Sequence, residues 1–112
     1  MDLKKLYKDI CVLACEMPIY SFLTYCDMFA RHVIAAYGKP YAIGDGEYST
    51  PETLSDSYAI DDAFYNAALF YIAGQASASG ELLAKSEAEA QNAYRTRWRA
   101  AARGKRIKGV SF

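Results

Sequence analysis

Apolar residues recur at steps of three and four along four separate stretches of this chain, and this periodicity is the strongest constraint on its fold. The first stretch follows Asp2, a helix-capping residue, and covers residues 3–14. The second covers residues 19–37, the third 61–74 and the fourth about 81–103. The pattern predicts an all-α fold, a small domain that resembles a four-helix bundle.

Residues 38–60, between the second and third stretches, hold glycine, proline and polar residues instead of an apolar stripe. Such a long polar connection predicts a loop that protrudes from the bundle and is its most mobile internal part. A tight-turn signal at 45–46 allows a short hairpin there. A helix-start pattern allows a helical turn over 51–57.

The length of 112 residues suits one domain, which we expect to span residues 1–103. Phe29, Tyr71 and Trp98 each lie on the apolar stripe of a different helix, so we predict that they share one core. Ten tyrosines are more than one core needs. Because tyrosine suits half-buried positions at subunit contacts, this surplus favours an oligomer.

Charge is divided unevenly along the chain. Residues 1–94 hold six basic and thirteen acidic residues, a net charge of −7, whereas residues 95–112 hold seven basic residues and no acid. A basic segment binds phosphate groups or an acidic protein surface, including that of a neighbouring copy. Gly104 is a helix-ending signal, so residues 104–112 are predicted to form a basic C-terminal arm that orders on a partner.

The residue types needed for catalysis or metal binding do not occur in productive combinations. His32 is the only histidine and is interpreted as a surface or core-edge residue. Asp61 and Asp62 fit a helix start better than an acid–base pair. The three cysteines suit reduced core thiols better than a zinc site. We therefore expect a protein that is not an enzyme and that holds no metal and no cofactor.

Arginines at 95, 97, 99 and 103 alternate with Tyr94 and Trp98. Arginine side chains can bind phosphate while an aromatic ring stacks on a base, which would suit nucleic acid. Alternatively, the two aromatic rings pack inward and the arginines face solvent. Packing is favoured for Trp98, whereas the arginines are equally compatible with solvent and with phosphate or an acidic protein.

The N-terminal residues are interrupted by charges, so neither a signal-peptide core nor a membrane-spanning stretch can be drawn through them. This pattern predicts an intracellular protein with no membrane partner.

Four features in order carry a family resemblance: Ala-Ala-Tyr-Gly at 35–38, the long polar loop, the Tyr- and Ala-rich third helix, and Tyr-Arg-Thr-Arg-Trp-Arg at 94–99. Together they resemble the head–tail connector (head completion or adaptor) proteins of tailed bacteriophages. The resemblance implies a structural virion protein of the neck, assembled in the host cytoplasm.

In that family, subunits form a ring on the portal, so the resemblance implies a homo-oligomer matching the twelvefold portal. Its partners would be the portal protein, tail or further neck proteins, and DNA that passes through the channel without sequence-specific binding. The loop residues that would face the channel are Gly44, Asp45, Gly46 and Glu47. The residues that would contact the portal or a neighbouring subunit are Arg103, Lys105, Arg106, Ile107, Lys108, Val110 and Phe112.

The alternative to a connector is a small helical nucleic-acid-binding or regulatory protein. It would use the basic segment 95–108 to contact its partner.

Overall fold

The computed structural model describes residues 1–14, 16–43 and 46–109, with side chains described as far as residue 99. Its helices are α1 (Leu3–Leu13), α2 (Ile19–Tyr37), α3 (Lys39–Ala42), α4 (Tyr65–Ser77) and α5 (Gly80–Gly109), with a 3-10 turn at Asp62–Phe64. No strand occurs within these described ranges. The prediction of an all-α fold is confirmed.

The first two helices begin and end where local signals place them. The side chain of Asp2 caps α1 by accepting hydrogen bonds from the backbone N–H groups of Lys4 (3.0 Å) and Lys5 (3.3 Å). Helix α2 begins directly after Pro18. It ends at Gly38, whose φ of +89° is a conformation that L side chains rarely adopt.

The connection between α4 and α5 is a tight turn at residues 78–79. Ala78 has a left-handed backbone (φ +52°), and the backbone N–H of Ser79 donates to the carbonyl of Gly74 at 2.9 Å. The hydroxyl of Ser79 accepts from the N–H of Leu82 at 3.2 Å, as a helix cap does. Such a short turn makes α4 and α5 antiparallel neighbours.

Helix α5 continues through Gly104 and ends at Gly109, beyond the predicted end near residue 103. A single glycine weakens a helix by only about 1 kcal/mol relative to alanine. The neighbouring alanine, arginine and lysine residues favour helix, so one glycine does not end it. Val110 and Phe112, two of the predicted arm residues, lie outside the described residues.

Helix α4 contacts α1, α2 and α5, and the core forms around it. Phe29 of α2 is buried, and its ring lies 5.4 Å from that of the half-buried Tyr71 on α4. The largest fully buried side chains come from α1, α2, α4 and the segment before α4: Leu3, Leu6, Ile10, Phe22, Cys26, Phe29, Val33, Tyr58, Ile60, Phe64 and Ile72.

Residues 46–60 lie against α2, which corrects the prediction of a protruding loop. Pro51, Tyr58 and Ile60 are buried. The hydroxyl of Tyr58 donates a buried hydrogen bond to the carbonyl of Cys26 at 2.7 Å. Three apolar side chains are enough to bury part of this segment, and because they are spread over ten mostly polar positions, no sustained period in the sequence reveals them.

A polar network fixes the same segment to the surface of α2. The carboxylate of Asp27 accepts hydrogen bonds from Tyr48 (2.8 Å), Thr50 (2.9 Å) and Arg31 (2.9 Å). Burial by itself raises the pKa of Asp27, but these three hydrogen bonds outweigh burial and leave the pKa below its ordinary value. The segment is therefore tied to one helix by both apolar and charged contacts.

The predicted hairpin and helical turn are both absent from the described residues. Helix α3 occupies the position of the first hairpin strand because Pro40 favours a helix start. In place of the helical turn over 51–57, the carboxylate of Asp56 accepts from the backbone N–H groups of Glu52 (2.8 Å) and Thr53 (2.9 Å) and forms a tight polar turn.

Candidate interaction surface

The N-terminal half of α5 is fixed closely against α4. The hydroxyl of Ser86 is buried and donates to the carbonyl of Ala67 at 2.7 Å. Gly74 leaves so little space that an added Cβ would lie 3.0 Å from the side chain of Leu83. Small residues at these positions let the two helices approach closely, which sets the direction in which the rest of α5 runs.

Helix α4 is too short to cover all of α5. Its 13 residues span about 20 Å, whereas the 30 residues of α5 span about 45 Å. Because the two helices run antiparallel from the tight turn, α4 can cover only about the first half of α5. Side chains on the second half of α5 can therefore be buried only by elements other than α4.

Arg97 makes the last described hydrogen bonds between α5 and the rest of the domain. Its guanidinium forms a salt bridge with Asp61 and donates to the carbonyl of Pro40 at 3.1 Å. Asp61 also accepts from the backbone N–H of Ala63 at 2.9 Å, as the sequence predicts for a cap. Arg97 is thus a structural residue, although the sequence gives it the same character as its neighbouring arginines.

Close to Arg97, three aromatic rings from α2, α3 and α5 form a cluster. The ring of Tyr94 lies 4.9 Å from that of Tyr37 and 5.2 Å from that of Tyr41, the second contact being edge-on. Burial raises the pKa of Tyr37, Glu87 raises it further and Arg95 lowers it. Glu87 lies two helical turns before Tyr94 on the same side of α5, and Arg95 follows Tyr94 directly.

Trp98 follows Tyr94 by one helical turn, yet its side chain is 51% exposed. The prediction that Trp98 belongs to the core is therefore wrong. The reason is the length of α5: residue 98 lies about 27 Å from the start of α5, beyond the reach of α4, which spans about 20 Å. Arg95 and Arg99, also one turn apart, are exposed next to it. We call Tyr37, Tyr41, Tyr94, Arg95, Trp98 and Arg99 the aromatic–arginine face.

Aromatic residues and arginine are enriched at protein interfaces. A large rigid ring buries much surface area and loses little conformational entropy when it does so. An exposed tryptophan beside guanidinium groups can insert into an apolar pocket with acidic residues around it. It can also stack on a nucleobase while arginine binds phosphate. Both uses require that these side chains are not covered by other residues of the same chain.

The only histidine lies near this face. The Nε2 atom of His32 is 3.3 Å from the carboxylate of Glu87, and its ring stacks on Tyr71 with centroids 6.2 Å apart. Both members of the pair are about half exposed. This position agrees with the prediction of a surface or core-edge histidine.

The other predicted site residues are distributed as follows. Gly46 and Glu47 are exposed, and Glu47 forms a salt bridge with Lys39 at 2.5 Å. Gly44 and Asp45 lie outside the described residues. The side chains of the interaction set Arg103, Lys105, Arg106, Ile107 and Lys108 also lie outside them, although their backbone belongs to α5.

Within the described part of the chain, no group of three or more His, Cys, Asp or Glu side chains is arranged to hold a metal ion. None of the described helices combines the length and apolar character required to cross a bilayer. Comparison of the chain with protein-family models, curated proteins and solved structures finds no match.

Proposed function

We propose that this chain is a structural adaptor, a head–tail connector subunit of a tailed bacteriophage that assembles as a ring on the portal and extends the DNA channel. The observation that carries the proposal is the aromatic–arginine face, in which Arg95, Trp98 and Arg99 are exposed on the part of α5 that extends beyond α4. In this proposal, α1, α2, α4 and α5 are the four-helix bundle of the connector. The chain acts by binding and positioning other proteins and has no catalytic role.

The charge distribution supports an adaptor that contacts two partners. The body of the chain, residues 1–94, carries a net charge of −7, while residues 95–112 carry +7. Identical subunits with two unlike, complementary surfaces can join head to tail and close into a ring. In the proposal, residues 103–112 contact the portal, with charge steering the encounter and Ile107, Val110 and Phe112 holding the complex.

A second candidate function, nucleic-acid binding, is favoured by the side-by-side exposure of Trp98, Arg95 and Arg99. Against it, Glu87 lies two helical turns before Tyr94 on the same side of α5, and a carboxylate near a phosphate backbone opposes binding. We therefore favour a protein partner for this face.

The test is co-expression of the chain with the portal protein of the same genome, followed by size-exclusion chromatography and electron microscopy of the portal fraction. The full chain should add a ring of density to the portal, and a chain truncated after Arg103 should not. The truncated chain should melt within about 5 °C of the full chain, because it keeps Arg97, which makes the last described hydrogen bonds between α5 and the body.

Lys4→Glu is the matched control, since Lys4 is an exposed basic residue on α1, outside the basic segment. Portal binding that survives truncation would contradict the assignment of residues 103–112, and so would loss of portal binding in the control. Tight binding of duplex or single-stranded oligonucleotides with a steep salt dependence, and no portal binding, would favour the second candidate.

A further inference from the structure

A groove of about 340 Å³ lies between the N-terminal end of α2 and residues 50–52. Leu23 and Pro51 are buried and form its apolar floor. Tyr20, 82% exposed, and the exposed carboxylate of Glu52 stand at its edges. A groove that is apolar inside and acidic at its edge suits a cationic aromatic segment.

The surface beside this groove is the most apolar part of the described exterior. Four of the six exposed large apolar side chains lie at the junction of α1 and α2: Val12, Leu13, Ile19 and Tyr20. Exposed apolar residues concentrated at one end of the molecule are typical of an interaction surface.

The aromatic–arginine face is chemically complementary to this groove, because it offers an aromatic ring for the apolar floor and positive charges for the acidic edge. The ring of Trp98 can occupy the apolar floor and donate its indole N–H to a polar group at the edge. Arg95 and Arg99, one helical turn apart, lie together on one side of the ring. They can meet the carboxylate of Glu52 and that of Asp56, whose own hydrogen bonds hold the turn beside Glu52.

The two surfaces lie at opposite ends of α2. Tyr20, at the groove, and Tyr37, which stacks on Tyr94 of the aromatic–arginine face, are 17 residues apart along one helix, or about 26 Å. Trp98 therefore cannot reach the groove of its own chain. A second copy can supply it, and a contact between two different surfaces repeats from copy to copy.

We infer that the groove between α2 and residues 50–52 binds the Trp98 region of a second copy of this chain, in a head-to-tail contact. This inference rests on the proposed adaptor function and assigns the contact between neighbouring subunits, as distinct from the contact with the portal. The occupant follows from charge complementarity between an acidic body and a basic helix end, together with the matching of an exposed ring to an apolar floor.

The experiment uses sedimentation velocity on the full chain over a range of concentrations. Wild type should self-associate, whereas Trp98→Ala and Glu52→Arg should each weaken self-association by about tenfold or more, as expected for central interface residues. Both residues are exposed, so neither change should disturb the fold. Arg99→Glu provides a second variant of the same face. Glu81→Arg, the same charge change at an exposed acid outside the groove, is the matched control and should associate like wild type.

Mixing the two single variants gives the sharpest result. The Trp98→Ala chain retains an intact groove and the Glu52→Arg chain retains an intact Trp98. An equimolar mixture should therefore form dimers and no larger species, because each pair can make only one contact. Combining Arg99→Glu with Glu52→Arg in one chain should restore association. A mixture that stays monomeric, or a wild-type chain that stays monomeric, overturns the inference.

The failures of the two proposals can be told apart in the same series. Truncation after Arg103 should abolish portal binding while self-association through Trp98 persists. Portal binding by a chain that never self-associates would refute the groove contact and leave the adaptor function standing. Self-association through the groove without portal binding would refute the portal assignment alone.

Discussion

Residues 46–60 and the C-terminal half of α5 differ in burial, and in each the burial is the opposite of what the residue types suggest. Residues 46–60 are mostly polar, yet Tyr58 and Ile60 are buried. Helix α5 carries an aromatic stripe, yet Trp98 is 51% exposed. The first segment crosses α2, which offers an apolar face, whereas the second extends past the end of α4. Burial is thus decided by whether an opposing surface exists.

The largest effect should come from removing the anchor of residues 46–60. Tyr58→Ala should lower the free energy of unfolding by about 3–5 kcal/mol, because it empties a fully buried aromatic site. Tyr58→Phe, which removes only the hydrogen bond to Cys26, should cost about 1 kcal/mol. Urea denaturation followed by circular dichroism measures both. A loss below about 1 kcal/mol for Tyr58→Ala would show that the segment is not part of the core.

The next effect separates two arginines on the same helix. Arg97→Met should cost about 1.5–3 kcal/mol, because Asp61 is left half-buried without its charged partner. Arg99→Met, which removes an exposed guanidinium, should change stability by less than about 0.5 kcal/mol. The same denaturation measurement applies to both. Equal losses would mean that α5 is fixed along its whole length and that the contrast with residues 46–60 is incorrect.

A smaller effect is expected in the pH dependence of stability, through the carboxylate of Asp27. The folded state holds the pKa of Asp27 below its ordinary value near 3.9, so its contribution to stability is present above about pH 4 and is lost as pH falls through the lowered pKa. Wild type should therefore lose more stability between about pH 6 and pH 3 than Asp27→Asn does. Thr50→Val, which removes one donor to Asp27, should fall between them. Identical pH profiles for all three proteins would contradict the role of this carboxylate.

The smallest effect should come from Trp98 itself. Trp98→Ala should change the stability of the monomer by less than about 1 kcal/mol, because the side chain is half exposed at a surface position. Phe64→Ala is the buried comparison and should cost about 3–5 kcal/mol. If thermal or urea unfolding of dilute protein gave Trp98→Ala the larger loss, Trp98 would belong to the core after all.

The sequence by itself determined the four main helices, but not α3 or the end of α5. Asp2, Pro18, Gly38 and Ser79 act on backbone within a few residues of themselves, so their signals need no knowledge of the fold. The all-α class followed from the spacing of apolar residues, for the same local reason. His32 was likewise predicted to be a surface or core-edge residue, and its side chain is about half exposed.

Only the tertiary structure decided which side chains found partners. Arg97 and Arg99 are two residues apart and chemically identical, but one forms a salt bridge with Asp61 and the other faces outward. Trp98 is exposed because α4 has 13 residues and α5 has 30, a mismatch between helices that no local pattern contains. Tyr58 is buried because its chain crosses α2. Burial depends on contacts between residues far apart in sequence, whereas capping and periodicity depend on neighbours.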